Sequence, residues 1–81
     1  MYTVYILKST KYKKTYVGCT SNIDKRLLAH NTGKSQYTSK YKPWEIIYTE
    51  EVENYTKARK RERYFKSGAG RKFISTLFDK L

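Results

Sequence analysis

Apolar side chains occupy both parities between Tyr2 and Lys8, with Tyr2, Val4 and Ile6 on one and Tyr5 and Leu7 on the other. An extended chain sends successive side chains to opposite faces, so this segment predicts a strand covered on both sides, central in a sheet. Ser9 to Lys14 is polar and reads as a hairpin loop, and Thr15 to Thr20 reads as the return strand. The loop has no Asn-Gly or similar dipeptide, so turn chemistry alone does not fix the register. If Lys8 faces Thr15, then Leu7 faces Tyr16, and Tyr5 shares the side of Leu7. Both tyrosines would then project from one face. A slip by a single residue would separate them.

Beyond Thr20 the period changes. Ser21 reads as a helix N-cap with Asp24 as a capping-box-like partner, the helix runs to about Asn31, and Gly33 supplies the stop. Ile23 and Leu27 point to the core, while Arg26 and His30 repeat the same four-residue spacing on an adjacent face. Lys34 to Lys42 is a polar, basic loop containing tyrosines; Pro43 ends it, and Trp44 to Glu50 forms a third strand. A second helix is expected from about Asn54 to Ser67. On its wheel Tyr55, Ala58 and Phe65 fall within an arc of about 80°, with Glu62 inside that arc. A carboxylate in an apolar stripe is unfavourable to bury unless it is paired or holds a metal. Both roles stay open for Glu62 at this level. The other face carries Lys57, Arg59, Lys60 and Arg63, a solvated or phosphate-facing surface. Gly68 and Gly70 read as breaks before a last helix from about Arg71 to Leu81, whose Phe73, Ile74, Leu77, Phe78 and Leu81 form a core stripe. The expected fold class is α+β: a small three-stranded antiparallel sheet flanked by helices, in the order ββαβαα.

Size and charge narrow the function. The 81 residues predict a single domain, with no room for a second. No apolar run approaches the roughly 18 residues of a membrane span, and the N-terminus lacks the pattern of a secretory signal, so the expectation is a cytoplasmic protein with no membrane association. The lone Cys19 cannot form an internal disulfide and reads as a small residue filling strand space. Eighteen Lys and Arg against seven Asp and Glu give a net charge of +11, a surplus that attracts polyanions, nucleic acid above all. With one His and one Cys, a zinc cluster of those ligands is excluded. The four glycines are scattered, so no P-loop or dinucleotide fingerprint exists, and no nucleophile elbow accompanies His30.

The residues left over suit phosphodiester hydrolysis, which needs an activated water, charge stabilisation on the phosphoryl oxygens and help for the leaving oxygen. Glu62 could hold a divalent metal through oxygen, and Mg2+ commonly takes only one or two protein carboxylates. Arg26 offers a permanently charged fork matched to phosphate. Tyr5, Tyr16 and His30 are candidate proton carriers or orienters. Lys34, Lys40, Lys42, Arg59 and Arg63 are candidate contacts to the nucleic-acid backbone.

The ordered set resembles the GIY-YIG nuclease family, and among its members the short stand-alone bacterial proteins most. Thr3-Val4-Tyr5 and Tyr16-Val17-Gly18 stand for the two motif tripeptides, Arg26 and His30 follow Tyr16 by ten and fourteen positions, and Ala58 and Glu62 fit an Ala-x-x-x-Glu pattern. The resemblance covers Tyr2 to about Lys66 and includes Pro43-Trp44 at the start of the third strand. It implies a divalent-metal-dependent endonuclease that hydrolyses DNA, with a role in DNA repair or recombination and RNA not excluded as a substrate. Glu62 would bind one Mg2+ or Mn2+, Arg26 would steady the scissile phosphate, and Tyr16 or Tyr5, assisted by His30, would act as general base or position the water. The chain departs from the family pattern at Thr3, where the family has glycine, and at Cys19, where excision-repair relatives carry lysine. Lys40 is a candidate for that missing cation. The alternative functions are a nucleic-acid-binding module that keeps the scaffold without useful cleavage, and a small basic RNA- or ribosome-associated protein.

Overall fold

The computed structural model describes residues 1–33 and 36–79. Its elements are β1 (Tyr2–Ser9), β2 (Thr15–Thr20), α1 (Ile23–Asn31), α2 (Gln36–Lys40), β3 (Trp44–Val52), α3 (Tyr55–Phe65) and α4 (Gly68–Asp79). The sheet is antiparallel with the order β2-β1-β3, so β1 is central as its two-faced apolar pattern requires. Val4 and Ile6 point to one side, where Val17, Ala58, Phe65 and Ile74 join them beneath α3 and α4. Tyr5 and Leu7 point to the other, with Trp44 and the flanking Tyr16, Ile23 and Leu27. The fold is α+β, with helices on both faces of one small sheet.

Lys8 pairs with Thr15, Leu7 with Tyr16 and Tyr5 with Gly18, the register that places both tyrosines on one face. The hairpin loop is shaped by Ser9, whose buried hydroxyl accepts from the amides of Lys11 and Tyr12 and donates to the Tyr41 carbonyl at 2.6 Å. A side chain therefore does what a tight-turn dipeptide would otherwise do. On the other edge, the β1–β3 register shifts between Ile6 and Leu7, which pair with Tyr48 and Ile46. The extra residue turns β3 over, so Trp44, opposite Ser9, comes onto the Tyr5 and Leu7 face.

Several boundaries differ from the sequence expectation. The cap of α1 is Asn22, whose side chain accepts from the Lys25 amide, and Asp24 serves the helix dipole in the first turn without closing a capping box with Ser21. The Lys34 to Lys42 segment contains the five-residue α2, where Thr38 is fully buried; Lys34 itself lies outside the described residues. Gly68 and Gly70 are not breaks, because α4 begins at Gly68. The Ser67 carbonyl accepts from the Arg71 amide, and a Cβ on Gly70 would run into the backbone of Tyr64 and Phe65. Glycine at that point lets α4 turn tightly against the end of α3. Phe73, Ile74 and Leu77 pack as the stripe predicts; Leu81 lies outside the described residues and Phe78 outside the described side chains. Tyr55 is half exposed, although its ring meets Tyr2 edge-on at 5.5 Å.

Candidate active site

The edge strand β2 carries the site. Tyr5 reaches outward from β1 beneath Gly18, so that a Cβ built on Gly18 would lie 2.6 Å from the Tyr5 hydroxyl. Glycine at this position leaves room for the hydroxyl at the strand edge. Tyr16, the other motif tyrosine, is half-buried beside it, with ring centroids 6.4 Å apart. From α1 the fully buried His30 places Nε2 3.0 Å from the Tyr5 hydroxyl, and its ring lies 4.8 Å from that of Tyr16. His30 Nδ1 is 2.9 Å from the Thr38 hydroxyl, and the Thr38 carbonyl accepts from the Trp44 indole. Tyr5, His30 and Thr38 thus form a hydroxyl–imidazole–hydroxyl chain, an arrangement in which a change of imidazole tautomer can move a proton.

Arg26, one helical turn before His30 and exposed, sets its guanidinium against both tyrosine hydroxyls. Burial pushes Tyr5 up to about 12, with Arg26 opposing that rise. The hydroxyl of Tyr5 therefore stays protonated at neutral pH. Burial, and then the charge of Arg26, push His30 below its ordinary value, so the imidazole is neutral there. The Tyr5 hydroxyl raises Arg26 further, which keeps the guanidinium charged throughout.

Glu62 approaches from the other face of the sheet. Val4 pairs with Cys19, so Cys19 points towards α3, and its thiol donates to Glu62 Oε1 at 3.3 Å. Lys66 Nζ lies 2.7 Å from Glu62 Oε2, and Arg59 Nη1 reaches the two oxygens at 3.1 and 3.2 Å. Burial raises Glu62, but the Lys66 and Cys19 hydrogen bonds and the Arg59 charge outweigh it and hold the carboxyl below its usual range. Burial and the neighbouring carboxylate push the Cys19 thiol up, so it remains a donor. Among the described residues no group of three His, Cys, Asp or Glu side chains gathers around a point. A single carboxylate still fits Mg2+ or Mn2+, which keep most of their waters, provided the two cations on Glu62 give way.

The predicted residues thus fall into two sets that meet at the β2 edge. Tyr5, Tyr16, Arg26 and His30 cluster on one face, and Glu62 stands on the other. Lys40 closes α2 and Lys42 follows it, both exposed; Arg63 is exposed on α3. Arg59 is exposed too, yet its guanidinium is engaged by Glu62. A model of the GIY-YIG catalytic domain matches residues 1–73. The chain belongs to the GIY-YIG family. Its relatives are UPF0213 proteins. One from Clostridium perfringens is 44% identical over 64 residues, spanning 78% of this chain and 68% of that protein. Another, from Staphylococcus saprophyticus, is 33% identical over 91% of this chain and 90% of its own length. The solution NMR structure of a UPF0213 protein from Bacillus halodurans is similar with a TM-score of 0.54 and 26% identity, covering 94% of this chain and 83% of that one. A GIY-YIG domain is a nuclease fold, and its substrate class is nucleic acid.

The sequence alone does not place three of the residues that contact these side chains. Thr38 gave no periodic signal, because α2 is a single turn inside a polar segment. Cys19 looked like filler, and only the pairing of Val4 with Cys19 shows that it faces α3. Lys66 was within reach, since it stands four residues after Glu62 on one helix face.

Proposed function

We propose that this GIY-YIG chain is a divalent-metal-dependent endonuclease that hydrolyses DNA phosphodiester bonds. The observation that carries the reading is the contact of Tyr5, Tyr16 and His30 with one another beside the Arg26 guanidinium, at the same strand edge that Glu62 approaches from the opposite face. Arg26 grips the non-bridging oxygens of the scissile phosphate. Tyr16, half-buried at the edge, orients the attacking water, while the Tyr5 hydroxyl stands between that water and His30. His30, held neutral, is the group ready to take a proton at neutral pH, and the Tyr5 hydroxyl gives its own proton to His30 as it receives that of the water. Glu62 would hold one Mg2+ or Mn2+, which would supply positive charge to offset the negative charge developing in the reaction. Lys40, Lys42 and the exposed Arg63 supply backbone contacts along the flanks. DNA repair or recombination is the setting we infer for such a nuclease in the cytoplasm.

The two cations on Glu62 favour a second reading, a binding module that keeps the scaffold without cleaving. One comparison separates the two. Wild type, Glu62→Gln and Arg26→Ala are incubated with supercoiled plasmid in Mg2+, in Mn2+ and in chelator, with DNA binding measured in parallel. The nuclease reading expects metal-dependent nicking that each substitution lowers at least about a hundredfold, while binding persists. Absence of nicking by the folded wild type would favour the binding module. Equal nicking by all three proteins would refute the assigned site.

A further inference from the structure

The hydrolytic residues leave unused a cleft of about 340 Å3 that runs from the β2 edge to the corner between α3 and α4. Buried Val17 and Ile74 line it together with Tyr16, Tyr37, Lys66 and Arg71. Tyr16 and Tyr37 lie with ring centroids 6.1 Å apart. No carboxylate lines the cleft among the described residues. Tyr16 belongs both to this cleft and to the catalytic cluster, so an anion held here is next to one held by Arg26. The chemistry is that of a nucleotide: two cations for a phosphate, with aromatic rings against the attached sugar or base.

Lys66 is shared between two anions. Its ammonium sits on Glu62 Oε2 at 2.7 Å, while its side chain, about half exposed, borders the cleft. We propose that the cleft holds the backbone phosphate adjacent to the scissile one, between Lys66 and Arg71, and that Lys66 leaves Glu62 to bind it. This rests on the nuclease reading of Glu62 and adds a subsite and a coupling. The Lys66 end of this pair is about half exposed, so its ammonium can turn from the buried Glu62 carboxylate to an anion on the solvent side. While Lys66 occupies Oε2, the carboxylate is closed to a divalent ion on that side. Once a phosphate draws the ammonium away, Oε2 keeps only the longer Arg59 contact, at 3.2 Å, and one of the two cations that oppose a metal is gone. Arg59 also pairs with Glu62 but does not line the cleft, so phosphate there has no hold on it. Nucleic acid and metal therefore bind with positive coupling, and linkage makes the coupling mutual.

The test reads binding alone. In chelator, fluorescence anisotropy of a labelled DNA oligonucleotide compares Arg71→Ala with Lys60→Ala, an exposed charge loss elsewhere on α3. Arg71→Ala should weaken binding roughly three- to tenfold more than Lys60→Ala. Equal losses would overturn the subsite, whatever the chain's nuclease activity. Free Mn2+ is then titrated by electron paramagnetic resonance in an Arg26→Ala background, which keeps the DNA intact. The oligonucleotide should tighten Mn2+ binding at least about fivefold. Adding Lys66→Met should tighten Mn2+ binding without DNA and remove the further gain. Adding Arg59→Ala should leave that gain in place. Equal Mn2+ affinity with and without DNA, or a gain that survives Lys66→Met, would overturn the exchange. An unchanged Mn2+ affinity in Glu62→Gln would instead refute Glu62 as metal ligand, and the exchange with it, leaving the anisotropy result standing on its own.

Discussion

Gly18 and His30 set the site at the scale of single residues. A Cβ on Gly18 would come 2.6 Å from the Tyr5 hydroxyl, 2.8 Å from its ring carbon and 3.1 Å from the Tyr16 ring. Gly18→Ala must therefore push Tyr5 off His30. Urea unfolding should show a loss of about 1–3 kcal/mol, and plasmid nicking should fall more than about tenfold. Unimpaired nicking would mean that Tyr5 is not needed where it stands. His30 makes a prediction with a sign. Its folded pKa lies below the unfolded value, since burial and Arg26 disfavour the cation. Above the unfolded value of about 6.5 both states are neutral and His30 leaves stability independent of pH. As the pH falls through that value, the unfolded chain binds the proton first, and stability declines until the folded pKa is reached. The urea midpoint should drop from pH 7 to pH 5, and His30→Gln should flatten that drop. Nicking should fall only at more acid pH, where the folded imidazole itself takes the charge.

At the scale of elements, three joints hold the functional groups in place. The Asn31 side chain pairs with both the amide and the carbonyl of Trp44, at 2.6 and 3.1 Å, and ties the end of α1 to the start of β3. The short helix α2 lies over His30 through Thr38, with the Trp44 indole donating to the Thr38 carbonyl at 2.8 Å. Arg61 grips Glu50 through two nitrogens, at 2.6 and 3.0 Å, and joins α3 to β3. The close turn from α3 into α4 rests on Gly70. Gly70→Ala has no nearby flexible side chain to displace, only the backbone of Tyr64 and Phe65. It should destabilise by at least about 1–3 kcal/mol in a denaturant melt, whereas Gly68→Ala, with nothing within 4 Å, should be neutral or stabilising. Equal effects at the two glycines would contradict the crossing.

The whole molecule is a strongly cationic body with a radius of gyration of 12.1 Å and a net charge of +11. Affinity for nucleic acid should fall steeply with salt, as counterion release demands. The slope itself is informative here. Lys40→Ala and Lys42→Ala should each lower it by up to about 0.9 where the lysine meets a phosphate. Arg59→Ala should change it less, because Glu62 already neutralises that guanidinium. A salt titration of oligonucleotide binding checks all three, and a larger change at Arg59 than at the two lysines would place the backbone along α3. Among the described residues no helix is long and apolar enough to cross a membrane.

The sequence by itself determined what repeats at short range. Alternation in Tyr2 to Lys8 marked a central strand, the four-residue spacing of Arg26 and His30 put them on one helix face, and the helical wheel singled out Glu62. These depend on the two-residue and 3.6-residue periods, which the local chain carries. Tertiary structure decided whatever depends on remote segments meeting. Glu62 received the Cys19 thiol because β2 and α3 pack together, whereas Arg59 and Lys66 reach it along α3 itself. Gly70 reads as a helix breaker until α3 passes close behind it. Thr38 is one polar residue among many until His30 and Trp44 close over it. Periodicity states which way a side chain points, and only the packed chain states what it meets there.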